Sequence, residues 1–449
     1  MAIPIDTFFL DPDAEGTLQA RIQQMVAEAI LSGRVRRGDK LPSTRKLAAH
    51  LGVSRITVTL AYTEMQSNDF LEARGRSGYY VSQNAPEPPE FPLRARGEDR
   101  VDWGRAIVNR FSGGLTPQKP LDWRAYPYPF TYGQPDERLF DHNSWRLCAL
   151  KALGQKDQAP VIRDWYDRDD PELTGFIARH ILPRRGISVS PDEILITMGA
   201  QNALWLAAQL LLTARRTAAF EEPCYYALRD ILAQRRCHLA PIPLDRDGLR
   251  LGALPDATDV IFTTPSHQCP TTATMPLARR KALLRRASAL GALIVEDDYE
   301  FEMSFLAPPS PALKSLDREG RVIYVGSFSK SLFPGLRLGY LVGAPGFIRE
   351  ARALRSACLR HPAGLMQRIT AHYLSLGHYD AMVRRMKAAF QKRRAVMDRA
   401  ISEHGLHIAG RGVYGGSSFW MRAPDAIDTG LLAERLKPAG VLIEPGAPF

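Results

Sequence analysis

The chain has 449 residues, of which 45% are hydrophobic and 24% charged, and its 59 lysines and arginines outnumber its 48 acidic residues to give a net charge of +11. This is the composition of an ordinary globular protein, and its longest apolar run, residues 203–212, is too short to span a bilayer. The five cysteines are scattered and include no CxxC pair, which argues against a disulfide framework and a zinc site and favours a reducing, cytoplasmic environment. The positive charge favours an anionic partner without identifying it.

The first predicted elements are three helices and a two-stranded hairpin. Apolar residues recur at helical spacing over residues 18–30, and Ser43 and Ser54 are suitable N-cap residues for two shorter helices. Gly52, between these two helices, can adopt the positive φ that a tight turn requires. The pattern at residues 70–82 predicts two strands joined by a glycine-containing turn. A helix-turn-helix followed by a basic hairpin predicts a winged helix.

Positive charge is concentrated around the predicted turn. Residues 34–55 contain one acidic residue, Asp39, and seven basic ones: Arg34, Arg36, Arg37, Lys40, Arg45, Lys46 and Arg55. Clusters of this kind bind the phosphates of nucleic acids. A solvated basic face on a protein-interaction module is the alternative interpretation.

The composition changes at residues 83–104, where prolines are mixed with charged residues and the apolar periodicity ends. Such a stretch is typical of an exposed, semi-extended linker. We therefore predict a DNA-binding domain over residues 1–82, a linker over residues 83–119 and a second domain over residues 120–449.

In the second domain, apolar strands alternate with helical patterns. The strands are predicted at residues 193–197, 217–223, 259–265 and 292–298. This alternation predicts an α/β fold with a mainly parallel sheet. Such sheets bind their ligands beyond the carboxyl ends of the strands.

Small and polar residues follow the strand at residues 193–197 and a further predicted strand, RVIYVG at residues 321–326, and are candidates for binding a phosphate. They are Gly199, Ala200, Gln201, Ser327, Ser329 and Arg337. Backbone N–H groups at the start of a helix suit a phosphate, although this pattern alone is weak. Lys330 lies among the two serines and the arginine, and an amine placed there can form an imine with a carbonyl group.

The strand at residues 292–298 ends in three consecutive acids, Glu296, Asp297 and Asp298. Such a run normally indicates solvent exposure or a metal, but no histidine or further carboxylate cluster supports a metal. A single buried aspartate paired with a ring nitrogen is the alternative. Such an aspartate, the amine of Lys330 and the phosphate site together match pyridoxal 5′-phosphate (PLP), which is held by its ring nitrogen, its aldehyde and its phosphate.

Residues 41–65 and 74–81, which read LPSTRKLAAHLGVSRITVTLAYTEM and RGRSGYYV, closely resemble the winged helix of the GntR family of bacterial regulators. The resemblance implies that six residues of this domain bind operator DNA: Arg45, Ser54, Arg55, Thr57, Arg76 and Gly78. Contacts to phosphates would position the domain, and one or two of these residues would read base edges.

Most of residues 120–449 resembles the fold-type I aminotransferases, through TPSHQ at 264–268, VEDDYEFE at 295–302 and SFSKSLFPGLRLGY at 327–340. A winged helix joined to such a domain is similar to the MocR group of GntR regulators. The resemblance implies that Lys330 forms a Schiff base with PLP and that no metal is bound. The roles that it implies for the other residues are Asp297 at the pyridine nitrogen, Tyr299 at the phenolic oxygen, Tyr225 stacked on the ring, SHQ at 266–268 lining the ring, and Gly199, Ala200, Gln201, Ser327, Ser329 and Arg337 at the phosphate.

The resemblance implies a PLP-dependent transcriptional regulator that senses an amine or amino acid such as GABA or taurine and forms a head-to-tail homodimer. The run IDTFFLD at residues 5–11 is similar to the taurine-responsive branch. An aminotransferase with an appended DNA-binding domain and an inert fold kept for dimerisation are the alternatives. Two positions depart from the family pattern: Ala227 stands where an arginine often binds the acid group of an effector, and Thr272 stands where glycine is common.

Overall fold

The structure is a computed structural model that describes residues 3–11, 15–87, 100–112, 119–131, 133, 135–410 and 412–449. The chain divides into two compact units, Met1–Asn109 and Arg110–Phe449. The boundary between the units falls within the predicted linker, residues 83–119, part of which lies outside the described residues. The limits of that linker stay a prediction.

The first unit has the predicted three helices and antiparallel hairpin. Its elements are α1 (Leu18–Leu31), α2 (Thr44–Leu51), α3 (Arg55–Ser67), β1 (Leu71–Ala73), β2 (Tyr79–Val81) and a short α4 (Trp103–Ala106). Ser43 and Ser54 cap α2 and α3, since each side chain accepts a hydrogen bond from a backbone N–H of the first turn. Gly52 ends α2 with φ of 67°, which a side chain would strain. The local signals in the sequence therefore set the turn between the two helices.

The core of the first unit lies between the three helices and the hairpin. Apolar residues at helical spacing supply it from each helix: Ile22, Val26, Leu47, Val58, Ala61, Tyr62 and Met65. Because Val58, Ala61, Tyr62 and Met65 occupy one side of α3, the opposite side of this helix faces solvent.

The second unit is built on a mixed sheet of eight strands. The strands of the unit are β3 (Tyr128–Pro129), β4 (Ile194–Thr197), β5 (Thr217–Glu222), β6 (His238–Asp245), β7 (Gly248–Leu249), β8 (Val260–Thr263), β9 (Leu293–Asp297), β10 (Val322–Ser327), β11 (Gly339–Val342), β12 (His407–Ile408), β13 (Met421–Arg422) and β14 (Val441–Leu442). The order in the large sheet is β4-β11-β10-β9-β8-β5-β6-β7, with β7 and β11 antiparallel to their neighbours and the other pairings parallel. The sheet is therefore mainly parallel, as predicted.

Helices cover both faces of this sheet. They are α5 (His142–Ala152), α6 (Gln158–Ile162), α7 (Pro171–Phe176), α8 (Ala200–Leu211), α9 (Tyr226–Gln234), α10 (Leu277–Leu290), α11 (Leu313–Leu316), α12 (Pro345–Leu359), α13 (Gly364–Ser375), α14 (His378–Glu403) and α15 (Thr429–Leu436). Residues of α8, α9 and α12 pack on one face with Val295, whereas α10 packs on the other with Ile294. Successive residues of β9 thus serve opposite faces, which is the reason for its continuous apolar sequence. Within the described residues, no helix is long and apolar enough to cross a membrane.

Candidate functional site

A cavity of about 270 Å³ opens beyond the carboxyl ends of β9 and β10 in the second unit. Apart from the SHQ segment, the sequence assigns ten residues to the cofactor, and nine of them line this cavity: Ala200, Gln201, Tyr225, Asp297, Tyr299, Ser327, Ser329, Lys330 and Arg337. The tenth, Gly199, lies against the guanidinium group of Arg337. The structure also brings to the cavity residues that the sequence interpretation missed: Lys119, Gly133, Tyr226, Cys269, Pro334 and Glu444.

Lys330 follows β10 in a loop whose first turn is held by Ser327, since the Ser327 hydroxyl accepts a hydrogen bond of 3.2 Å from the Ser329 N–H. Gly133 approaches Lys330 so closely that a Cβ at this position would collide with Nζ. Burial lowers the pKa of Lys330, although the charge of Glu300 acts in the opposite direction. A lysine with a lowered pKa keeps a larger neutral, nucleophilic fraction near neutral pH.

The three acids at the end of β9 do not form one cluster, because their side chains alternate between the faces of the strand. Glu296 is buried and accepts hydrogen bonds from the backbone N–H groups of Leu313 and Lys314 at 2.8 and 2.9 Å. Asp298 forms a buried ion pair of 2.6 Å with Arg185. Burial acts to raise the pKa of Asp298, but the Arg185 guanidinium overcomes it and the pKa is lowered. Glu296 and the Oδ2 atom of Asp298 are therefore already bound within the protein, whereas Oδ1 of Asp298 is buried without a hydrogen-bond partner among the described residues.

Asp297 is the acid of this run that faces the cavity. Its Oδ1 atom is buried and has no hydrogen-bond partner among the described residues. Burial, followed by the charge of Asp298, raises the pKa of Asp297 to about 8. A buried carboxylate without a partner is costly, so this atom is a site for a positively charged or N–H-bearing group of a ligand.

The opposite side of the cavity has the chemistry of a phosphate site. Gly199 precedes α8 with φ of 86°, and Ala200 and Gln201 present the first turn of that 12-residue helix. Arg337 adopts φ of 51° and donates from Nη2 to the backbone oxygen of Met198 at 3.0 Å, which fixes its guanidinium beside the helix start. Helix N–H groups, serine hydroxyls and a fixed guanidinium together suit a phosphate.

Aromatic side chains line the same cavity as Asp297 and Lys330. The rings of Tyr225 and Tyr226 form an edge-to-face pair with centroids 4.9 Å apart. Burial raises the pKa of Tyr225, so this phenol stays neutral. The Tyr299 hydroxyl lies 3.5 Å from Oε1 of Glu300, a residue that the sequence interpretation did not select.

The SHQ segment lies behind the cavity wall, and Cys269 is the neighbouring residue that lines the cavity. The Ser266 hydroxyl accepts from Arg185 at 2.8 Å, and the Gln268 amide donates to the backbone oxygen of Pro223 at 2.9 Å. Both ring nitrogens of His267 are buried without a hydrogen-bond partner among the described residues. Burial lowers the pKa of His267. In this structure the segment supports the cavity through hydrogen bonds to neighbouring loops.

Three of the six residues predicted to bind DNA, Arg45, Ser54 and Arg55, are exposed, and Thr57 and Gly78 are half-buried. Ser54 caps α3, and its hydroxyl accepts from the Thr57 N–H at 3.1 Å. Arg55 is exposed, and its Nε donates to the Thr44 hydroxyl at 3.4 Å, at the start of α2. Arg45 is exposed on α2, and Gly78 precedes β2 with φ of 104°. The side chain of Arg76 lies outside the described part of the structure.

Comparison with known proteins agrees with this division. The family model described as bacterial regulatory proteins, gntR family, matches residues 18–81, and that described as aminotransferase class I and II matches residues 140–427. The HTH-type transcriptional regulator TauR of Rhodobacter capsulatus is 56% identical over 449 residues, which are 100% of this chain and 93% of that protein. The probable rhizopine catabolism regulatory protein MocR of Rhizobium meliloti is 32% identical over 403 residues, which are 88% of this chain and 79% of that protein.

Solved structures similar to this chain are aminotransferases. The kynurenine aminotransferase of Pyrococcus horikoshii, in complex with PMP, is 28% identical with a TM-score of 0.66 and covers 71% of this chain and 81% of its own. LysN, the alpha-aminoadipate aminotransferase of Thermus thermophilus complexed with N-(5′-phosphopyridoxyl)-L-leucine, is 27% identical with a TM-score of 0.65 and covers 71% of this chain and 82% of its own. The second unit therefore has the fold of these enzymes.

Proposed function

We propose that this chain controls transcription in response to a small amine or amino acid that it detects with PLP. The chain belongs to the MocR-type group of the GntR family of bacterial transcriptional regulators. The TauR relative, at 56% identity, favours an effector of the taurine or GABA kind. We further propose that the domains have the predicted limits, 1–82, 83–119 and 120–449. We propose the cytoplasm as the compartment of the protein, because the chromosome lies there.

The observation that carries the proposal is the position of the unpartnered Oδ1 atom of Asp297 in the same cavity as Lys330 and Arg337. These groups match the three parts by which PLP is held: the ring nitrogen, the aldehyde and the phosphate. When bound, PLP supplies an aldehyde that captures amines and a ring that withdraws electrons from them.

The residues of the cavity have separate tasks in this proposal. Asp297 would hold a proton on the ring nitrogen. The positive charge of the protonated nitrogen would offset the burial that raises the pKa of Asp297 to about 8. Lys330, whose pKa is lowered by burial, would supply the neutral amine that the effector displaces. Tyr299 would orient the phenolic oxygen, and Tyr225 would stack on the ring.

The proposed phosphate site consists of the α8 start with Arg337 and two serines. Gly199, Ala200 and Gln201 would supply backbone N–H groups, and Ser327 and Ser329 would supply hydroxyls. Arg337 would add the charge, since its guanidinium is already fixed on the Met198 carbonyl.

In the first unit, we propose that DNA is bound by the predicted set Arg45, Ser54, Arg55, Thr57, Arg76 and Gly78. The start of α2, the start of α3 and the hairpin would carry these residues to the groove and the backbone. We also propose a head-to-tail homodimer, because two DNA-binding units held by one dimer bind paired half-sites more tightly than either unit alone. Sedimentation at micromolar concentration checks the dimer.

A second candidate is an aminotransferase with an appended DNA-binding domain. The aminotransferase fold and a cavity with both a lysine and an unpartnered aspartate favour some residual transamination. Incubation with taurine or GABA and an oxo-acid acceptor separates the candidates, because an enzyme releases product over many turnovers. A sensor with partial chemistry releases at most about one equivalent per chain.

The test of the proposed function is binding to the DNA upstream of its own gene, with and without PLP and with taurine or GABA. We expect an effector amine to change the affinity or the protected region only when PLP is present. Lys330→Ala should lose the visible absorbance of the bound cofactor and the response to the amine but retain DNA binding, whereas Lys281→Ala, an exposed control, should behave as the wild type. An unchanged visible spectrum in Lys330→Ala would refute the assignment of the lysine.

A further inference from the structure

Ile56 is the second residue of α3, and 72% of its surface is exposed. Leu60, one turn further along the same helix, is 51% exposed. The two residues lie about 40° apart around the helix axis, because successive residues are rotated by about 100°. They form an apolar strip on the surface of the first unit.

This strip lies on the side of α3 that faces away from the core. The buried residues Val58, Ala61, Tyr62 and Met65 mark the opposite side of the helix. Thr63, which is exposed, continues the strip by one further turn. Isolated exposed apolar residues are common and need no explanation, but two adjacent ones at the centre of a solvent-facing helix side suggest a partner.

The stretch of sequence that leads into the strip is basic. Arg45 and Lys46 of α2 and Arg55 of α3 are exposed, and no acidic residue occurs between Asp39 and Glu64. An apolar strip in a segment with several cations and one acid, Glu64 at its far end, fits an anionic partner that also has an apolar feature. In the major groove of DNA, that feature is the C5-methyl group of thymine.

The start of α3 is rigid enough to direct Ile56. Ser54 caps the helix through the Thr57 N–H at 3.1 Å, and its hydroxyl also pairs with that of Thr57 at 2.8 Å. Ile56 itself is β-branched and loses little rotational freedom on binding, because a helix already restricts its χ1 angle. The first residues of a recognition helix are those that contact base edges.

We infer that Ile56 reads a thymine in the operator by packing against its C5-methyl group, with Leu60 extending the same apolar contact. The inference rests on the proposed DNA-binding function. It adds Ile56, as a base-reading residue, to the six polar or small residues that the sequence predicts to contact DNA. It also predicts a chemical preference, because cytosine lacks this methyl group and uracil differs from thymine by that group alone.

The test is a thymine-to-deoxyuridine scan of the duplex that the full-length protein protects upstream of its own gene. For the wild type, we expect one or two of the single substitutions to weaken binding about fourfold each, the factor that corresponds to burying one methyl group. For Ile56→Ala, we expect weaker binding to the unmodified duplex and no further loss at those same positions. Ile56→Val, which keeps a branched methyl at Cβ, should retain most of the discrimination.

Leu31→Ala is the matched control, because Leu31 is an exposed apolar residue at the end of α1. It should keep the full response to deoxyuridine. Equal losses in wild type and Ile56→Ala at every thymine would overturn the inference and leave the proposed function intact. A change of sedimentation behaviour in Ile56→Ala with unchanged DNA affinity would also overturn it and assign the strip to a protein contact. Absence of any protected DNA with the wild type would overturn the proposed function and this inference together.

Discussion

The hydroxyl group of Ser417 donates a hydrogen bond to the carboxylate of Glu300, with 2.6 Å between Oγ and Oε2. Glu300 directly follows Tyr299, and its charge counteracts the burial that lowers the pKa of Lys330. Ser417 belongs to the loop between β12 and β13, which are far along the chain from these residues. The hydrogen bond therefore ties the C-terminal part of the second unit to the residues around the lysine.

Ser417→Ala should lower the free energy of unfolding of the second unit by about 1–3 kcal/mol, because a buried, charged acceptor loses its donor. Hydrogen exchange at residues 412–420 should become faster than in the wild type. Ser402→Ala, on the exposed end of α14, is the control and should change neither quantity. Identical denaturation midpoints and exchange rates for the two variants would show that the hydrogen bond contributes nothing to this loop.

The protein without PLP should become less stable between about pH 4 and pH 8 in part because of Asp297, whose pKa is raised to about 8 by burial. The folded protein binds this proton more tightly than the unfolded chain does, so the stabilisation is complete below the ordinary aspartate pKa. It is lost as the pH rises through the raised value. Asp297→Asn should therefore show a smaller fall in unfolding free energy over this range, measured by urea denaturation at several pH values.

Comparison of wild type with Asp297→Asn is needed because other buried acids act in the same direction. Burial also raises the pKa of Glu302 to about 7, and this residue is unchanged in the variant. Adding PLP should reduce the pH dependence of the wild type but not that of Asp297→Asn. Parallel pH profiles for the two proteins without PLP would contradict an unpartnered, buried Asp297.

Gly199→Ala should weaken the binding of PLP at least tenfold, because a Cβ at this position would lie 3.2 Å from Nη2 of Arg337. The positive φ of 86° adds a backbone strain of about 1–2 kcal/mol. Gly291→Ala is a matched control, since Gly291 also has a positive φ of 69° but no atom within 4 Å of the added Cβ. Equilibrium dialysis with PLP should separate the two variants, whereas both should lose stability. Equal PLP affinities would argue against Arg337 as the phosphate ligand.

Arg55→Ala should weaken operator binding by about 1–3 kcal/mol if the side chain contacts a base, and it should relax the preference at that base pair. A phosphate contact would instead weaken all sequences alike and reduce the salt dependence of binding. Arg318→Ala, which removes an exposed charge from the second unit, is the control. Fluorescence anisotropy at several salt concentrations distinguishes these outcomes, and PLP content should be the same in all three proteins. Unaltered affinity would show that α3 is not the recognition helix.

The sequence by itself determined the features that depend on a few neighbouring residues. Ser43 and Ser54 cap helices and Gly52 ends one, because a cap or a left-handed turn is decided by local hydrogen bonds and sterics. The motif around Lys330 also consists of neighbouring residues. The alternation of apolar strands with helical patterns, which predicts a mainly parallel sheet, can likewise be recognised along the sequence. The sequence also places Ile56 near the start of a helix, but an apolar residue there usually belongs to the core. Only the structure shows that Ile56 is exposed.

Only the tertiary structure decided which groups meet around Lys330. Gly133 and Glu444 carry no sequence signal for this site, since the packing of loops brings each of them to Lys330 across more than a hundred residues of chain. Glu300 lies within the motif at residues 295–302, but only the structure shows that its charge acts on Lys330. The three acids at the end of β9 show the same limit. Alternation separates their side chains, but whether each finds a partner depends on Arg185 and the α11 backbone, which belong to distant segments. Asp297 is available to a ligand because the fold offers partners to its two neighbours and places none beside its Oδ1 within the described residues.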